Sequence, residues 1–152
     1  MLTLTAMTTE VFQHYLKNAI TDYASDKVKN GTWSKNNAHE LAVQSYNHFL
    51  PNGIDTPNHY LYSIYLKETL IGHTWIFFDS TEKMIFIYDI HIFEKYQNQG
   101  YGTLVMTMLE EQAQQLGAKK LSLHVFGYNQ RALHVYQKVG YHSTDYNLSK
   151  EL

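Results

Sequence analysis

The chain has 152 residues, no cysteine, 12 lysines plus arginines against 14 aspartates plus glutamates, and a formal net charge of −2. One domain of this length buries roughly 70% of the surface that its unfolded chain exposes, so it needs no staple, and the lack of cysteine excludes disulfides, thiolate zinc sites and a cysteine nucleophile. Acids and bases are interspersed and nearly balanced, which argues against nucleic acid or an anionic membrane as the main partner.

The first ten residues, "MLTLTAMTTE", hold neither the basic nor the apolar region of a signal peptide. The longest apolar run, Met84 to Tyr88, is far short of the ~20 residues that span a bilayer. A cytoplasmic protein with a single domain over residues 1–152 is expected. Apolar residues recur near period 3.6 from Val11 through Phe12, Tyr15, Ala19, Tyr23 and Val28, which predicts a helix over about 8–30. Thr8 can cap it, Glu10 lies in its first turn and Gly31 can stop it. A second helix is predicted over about 34–50, on a stripe of Ala38, Leu41, Ala42, Tyr46 and Phe49, ending at Pro51 and Gly53.

The period then changes. "HYLYSIYL" (59–66), "LIGHTWIFF" (70–78) and "MIFIYDIHIF" (84–93) read as an antiparallel meander. A helix follows over about 101–116, then a strand over 119–126, a helix over 129–139 and a closing strand in "YHSTDYNLS" (141–149). The order α α β β β α β α β, with helices on a mainly antiparallel sheet, makes the fold class α+β.

Between the meander and the third helix stands "YQNQGYGTLV" (96–105). Strand, glycine-rich turn and helix together offer unpaired N–H groups to an anion. A P-loop needs a lysine and Ser/Thr after its second glycine, and here "TLV" follows Gly102. A dinucleotide loop needs a third glycine, and that position holds Val105. What remains is a tight turn with no ligand, or the pattern Gln/Arg-x-x-Gly-x-Gly, which Gln97, Gly100 and Gly102 satisfy. A second block extends the match. In "YNQRALHVYQKVGYH" the residues Asn129, Ala132, Tyr136, Lys138, Gly140 and Tyr141 fall in the register Asn-x-x-Ala-x-x-x-Tyr-x-Lys-x-Gly-Tyr.

The two blocks and the element order resemble the GNAT N-acetyltransferase family across nearly the whole chain. The resemblance is to small bacterial members of unassigned substrate, and it includes the "KLSLHVF" and "VKNGTW" segments. It implies a three-layer αβα fold with a sheet splayed open between the family's fourth and fifth strands, those ending near Phe93 and Phe126, and a coenzyme-binding core over about 84–141. It also implies acetyl-CoA as co-substrate. The pyrophosphate would sit on Gln97, Asn98, Gln99, Gly100, Tyr101, Gly102 and Thr103. Pantetheine would pair with the backbone of Ile90 and Ile92, and Asn129, Arg131 and Tyr136 would line the rest. Relatives often carry basic residues where this chain has Gln97 and Gln99, so Arg131 and Lys95 are the candidates to supply the missing charge.

Acetyl transfer to an amine needs a neutral amine, a polarised carbonyl and a proton for the leaving sulfur. By resemblance, Tyr136 is the acid, against the plain alternative of a packed tyrosine, and a backbone N–H near Ile92 faces the developing oxyanion. Asp89 and His91 share one face of their strand, opposite Ile90 and Ile92, and are the candidates to hold or deprotonate the amine. A structural strand pair is the plain alternative for both. A glutamate base used by some relatives would fall at Phe86. The histidines are scattered, none at i, i+4 spacing, and no metal is expected. The expected function is transfer of acetyl from acetyl-CoA to a primary amine. The alternatives are an acetyltransferase of protein or peptide amino termini and a non-catalytic acyl-CoA-binding module. The expected partners are acetyl-CoA and an amine acceptor, with no nucleic acid and no membrane, in a monomer or homodimer.

Overall fold

The structure, a computed structural model, describes residues 1–152. It has five strands and four helices in the order β1 (Leu2–Ala6), α1 (Thr9–Lys29), α2 (Ala38–Phe49), β2 (His59–Leu66), β3 (Thr69–Asp79), β4 (Met84–Ile92), α3 (Tyr101–Gln115), β5 (Lys120–Leu123) and α4 (Gln130–Lys138). The strands lie in sequence order in one sheet, antiparallel from β1 to β4 and parallel between β4 and β5. No helix is long and apolar enough to cross a membrane.

Helix α1 begins as its sequence predicts. The Thr8 hydroxyl accepts the Val11 N–H at 3.2 Å, and Glu10 in the first turn with Lys27 and Lys29 in the last complement the helix dipole. Gly31 follows its end in the left-handed region, φ +81°. Helix α2 starts at Ala38 instead of Ser34, because the Ser34 hydroxyl donates to Asn37 Oδ1 at 2.9 Å and holds a turn there.

Two strand expectations fail at the chain ends. "LTLTA" forms β1, which was not anticipated: five residues are too few for period alone to separate from coil. Leu2 and Leu4 alternate onto the α3 side of the sheet. The closing strand over 141–149 does not form; Tyr141–Leu152 has no regular structure, and Tyr146 and Leu148 stand exposed. The polar run His142–Asp145 gives that segment little apolar surface to offset the cost of ordering it. Strand β5 also stops at Leu123, short of the expected Phe126.

The sheet is sandwiched. Ile64, Ile76, Ile85 and Ile87 on one face pack with Val105, Met106, Leu109 and Ala113 of α3. Leu61 and Trp75 on the other face pack with Phe12, Tyr15 and Ala19 of α1 and Tyr46 of α2. Three layers, helix–sheet–helix, result, as the resemblance implies.

Strand β4 carries the feature that builds the site. Trp75 pairs with Asp89 and Ile76 with Ile87, so Tyr88 is an extra, unpaired residue in a β-bulge. The bulge shifts the alternation by one. Ile85 and Ile87 face α3 before it, and Ile90 and Ile92 face α3 after it. Tyr88 falls on the opposite face, packed with the α1–α2 cluster, and Asp89 is brought to that side as well, where Tyr15 of α1 meets it. Pairing with β5 covers only Met84–Ile87 against Lys120–Leu123, so from Tyr88 onward β4 has no strand on that edge. This is the splay between the fourth and fifth strands.

Candidate active site

A cavity of about 1410 Å³ opens where β4 and β5 part, between α1, α2, the exposed half of β4, the residues after β5 and α4. Tyr136 and Asp89, from opposite sides of the splay, both line it. Tyr136 packs on the α3-side core and edge-on to Tyr141, with ring centroids 5.9 Å apart. Burial, reinforced by the nearby Asp89 charge, raises its hydroxyl pKa, so it stays protonated at neutral pH.

Asp89 is half-buried on the cavity wall. The Tyr15 hydroxyl donates to its Oδ2 at 2.7 Å, and its backbone carbonyl accepts from the Thr74 hydroxyl at 2.9 Å. Burial raises the Asp89 pKa and Asp22 adds to the rise, while the Tyr15 hydrogen bond, His91 and the Ile90 N–H oppose it. His91 is exposed, lines the cavity and stands opposite His73 in the β3–β4 register. His73 is a residue that sequence reasoning missed. It is buried, its ring stands edge-on to Tyr15 at 5.1 Å, and its Nδ1 has no hydrogen-bond partner. Burial, with His91 and His14 nearby, lowers its pKa to about 4, so it is neutral. Tyr15 and Asp22 were missed too. Their signal was a polar one: Asp22 and Asp26 continue the stripe of Tyr15 and Ala19 on α1, placing carboxylates beside a buried helix face.

The glycine-rich turn lies apart from this wall; none of residues 97–103 lines the cavity. Asn98 and Gly100 both have positive φ, +62° and +83°. Gly100 leads directly into α3, whose start has no side-chain cap, and the Leu104 N–H is the first to return, to Gly100 O at 3.2 Å. Tyr101, Gly102 and Thr103 therefore begin the helix with free N–H groups, and Gly102 has open space beside it. The two loop glutamines are tethered inward: Gln97 Nε2 donates to Ile92 O at 2.7 Å and Gln99 Nε2 to Lys95 O at 3.3 Å. Arg131, from the first turn of α4, reaches across and donates to Asn98 Oδ1. Lys95 lies over the Tyr96 ring at 5.6 Å. Asn129 Oδ1 accepts the Ala132 N–H at 3.2 Å and so caps α4.

The backbone of β4 is sorted by the same alternation. The Phe93 N–H bonds to Ile71 O on β3, so the Ile92 N–H and C=O face the other, open edge. No group of three or more histidines, aspartates or glutamates is arranged to hold a metal ion.

Residues 17–141 match the family described as Acetyltransferase (GNAT). The chain belongs to the GNAT acetyltransferase family. Two Bacillus subtilis (strain 168) proteins, both named uncharacterized N-acetyltransferases, are similar over nearly their full length. YycN is 40% identical over 98% of this chain and 97% of its own, and YdgE is 35% identical over 99% and 98%. The crystal structure of YycN superposes with a TM-score of 0.96, covering 100% of this chain and 99% of that one. The PaiA N-acetyltransferase of Thermoplasma acidophilum, solved in complex with coenzyme A, shares the fold at a TM-score of 0.71 and 15% identity, over 97% of this chain and 93% of its own. As a GNAT protein the chain has an acyltransferase fold of small bacterial type, and the site described above is where that fold opens.

Proposed function

We propose that the protein transfers the acetyl group of acetyl-CoA to a primary amine by direct attack in a ternary complex, with Tyr136 as acid toward the leaving sulfur and Asp89 as the group that receives the amine. The observation that carries this reading is that Tyr136 and Asp89 line one cavity from opposite sides of the splay.

The residues present fit the coenzyme. The free N–H groups at Tyr101, Gly102 and Thr103 suit a pyrophosphate, and the Ile90 carbonyl and Ile92 N–H on the unpaired edge of β4 suit an amide-bearing arm, the Ile92 carbonyl being held by Gln97. Acetyl-CoA supplies the activated acyl group, a thioester. The Ile92 N–H, facing the open edge, donates to the carbonyl oxygen as charge gathers on it. Asp89, ionised above its raised pKa, holds the incoming ammonium and takes its proton, directly or through a water, with His91 beside it on the wall. Tyr136 gives its proton to the departing sulfur.

Arg131 replaces the basic loop residues of relatives. Its guanidinium sits on Asn98 at the turn, so it adds charge where Gln97 and Gln99 cannot. Arg131→Ala should weaken acetyl-CoA binding about three- to tenfold and flatten its salt dependence; calorimetry at two salt concentrations reads both. An unchanged dissociation constant would remove Arg131 from the coenzyme site.

The pH dependence tests the role of Asp89. Because burial raises its pKa, the active carboxylate forms as pH rises, and kcat/KM should climb through an acid limb. Asp89→Asn should lower kcat/KM at neutral pH by about 10²-fold and abolish that limb. If the limb persisted unchanged in the variant, another group would be the base.

A further inference from the structure

An acceptor brings a body as well as a nitrogen, and the cavity wall formed by α1, α2, β3 and β4 selects among bodies. That wall is a continuous run of rings. Tyr23 and Tyr46 lie 5.7 Å apart, Tyr46 and Trp75 5.5 Å, Trp75 and Tyr88 are stacked at 4.3 Å, and Tyr88 and Phe86 lie 4.8 Å apart. All five rings line the cavity.

Four carboxylates line the cavity: Glu10, Asp22, Asp26 and Asp89. Asp22 lines the same cavity, and its charge acts on Asp89, Tyr15 and Tyr46 alike. No lysine or arginine acts on Asp89, and the one lysine lining the cavity, Lys27, lies over the Tyr23 ring at 5.5 Å. Asp26 accepts the Tyr128 hydroxyl at 2.8 Å, as Asp89 accepts that of Tyr15 at 2.7 Å. His73, only 8% exposed, lines the cavity with an unpartnered Nδ1; a neutral imidazole nitrogen without a proton accepts a hydrogen bond. Asp89 and Asp22 with the unpartnered imidazole mark a place for a cation. The rings beyond them mark a place for an apolar or aromatic group. A polyamine would draw on the further carboxylates of this cavity, Glu10 and Asp26, and would leave the rings uncovered. A sugar amine would need polar partners there, and a peptide would need backbone donors and acceptors.

We propose that the acceptor is a monoamine borne on an aromatic or bulky apolar body, its ammonium held by Asp89 and Asp22 and its body laid on the Tyr23–Tyr46–Tyr88–Phe86 wall. The proposal rests on the amine-transfer reading above. Asp22 and Phe86 are then specificity residues: one holds the charge, the other the body.

The test pairs binding with turnover. Ligand-observed NMR with 2-phenylethylamine, spermidine and alanyl-alanine amide is run beside thiol release from acetyl-CoA with each amine. The expected result is that 2-phenylethylamine binds and exceeds the other two in kcat/KM by about tenfold or more. Asp22→Asn should weaken its binding about tenfold. Phe86→Ala should do the same for 2-phenylethylamine while leaving spermidine unaffected. Circular dichroism confirms that both variants fold. Preference for spermidine or the dipeptide would overturn the acceptor proposal and leave amine transfer standing. So would unchanged 2-phenylethylamine affinity in a folded Phe86→Ala variant. Binding of 2-phenylethylamine with no turnover of any amine would overturn transfer and leave the ligand class standing. Neither binding nor turnover would overturn both.

Discussion

Tyr136→Phe is expected to lower kcat by about 10²–10⁴-fold, the range for removing a positioned general acid. The substitution deletes one hydroxyl and keeps the ring, which packs on the α3-side core and against Tyr141. Stability should therefore change little, and acetyl-CoA should bind with nearly its original affinity. The loss belongs to the chemical step because the hydroxyl is held protonated by burial and by the Asp89 charge; its proton is available at neutral pH, and phenylalanine has none to give. Amine-dependent thiol release under saturating acetyl-CoA measures the effect. A Phe variant within about threefold of the wild-type rate would assign the proton to water and reduce Tyr136 to a packing residue.

The largest stability effect is expected at Gly72, on β3. A Cβ there would meet His91 O at 2.2 Å and Ile92 Cα at 3.1 Å, both backbone atoms of β4. Neither can swing aside, so in Gly72→Ala the two strands must part. A cost of about 1–3 kcal/mol or more follows from such overpacking, and Tm should fall by about 5–10 °C for a domain of this size. Activity should fall further than stability, because Gly72 pairs with Ile92 and the strain lands on the strand that carries Asp89. Gly127→Ala is the control: it meets nothing within 4 Å and has no positive φ, so its Tm should stay within about 2 °C. Equal melting of the two variants would mean that β3 and β4 tolerate separation at this point.

Much of the fold was legible because long periodic segments announce themselves. The stripe of α1, the alternation of β2 and β3 and the glycine stops needed no tertiary information. The ends were not legible: β1 is held by its partner β2 more than by its own five residues, and the tail 141–149 alternates without finding a partner strand. The bulge at Tyr88 was legible in principle. Ile85, Ile87, Ile90 and Ile92 are spaced two, three, two, and the odd step in an otherwise strict alternation is what an extra residue in one strand looks like. The site was only partly legible. Motif register brought Tyr136 and the glycine turn to attention, and strand parity brought Asp89. Tyr15 and His73 join Asp89 from α1 and β3, 74 and 16 residues away in sequence, and no local pattern reports that meeting. The inward tethering of Gln97 and Gln99 likewise depends on where their carbonyl partners end up.

Movement of an acetyl group from acetyl-CoA to an amine in this cavity can be measured directly. The direct measurement is free thiol released from acetyl-CoA by the purified protein with and without a panel of primary amines, with the acetylated amine identified by mass spectrometry. Thiol release should depend on the amine, with one acetyl group on nitrogen for each thiol released, and both should be lost in Tyr136→Phe. Tight binding of acetyl-CoA with no amine-dependent release from any member of the panel would contradict transfer to an amine.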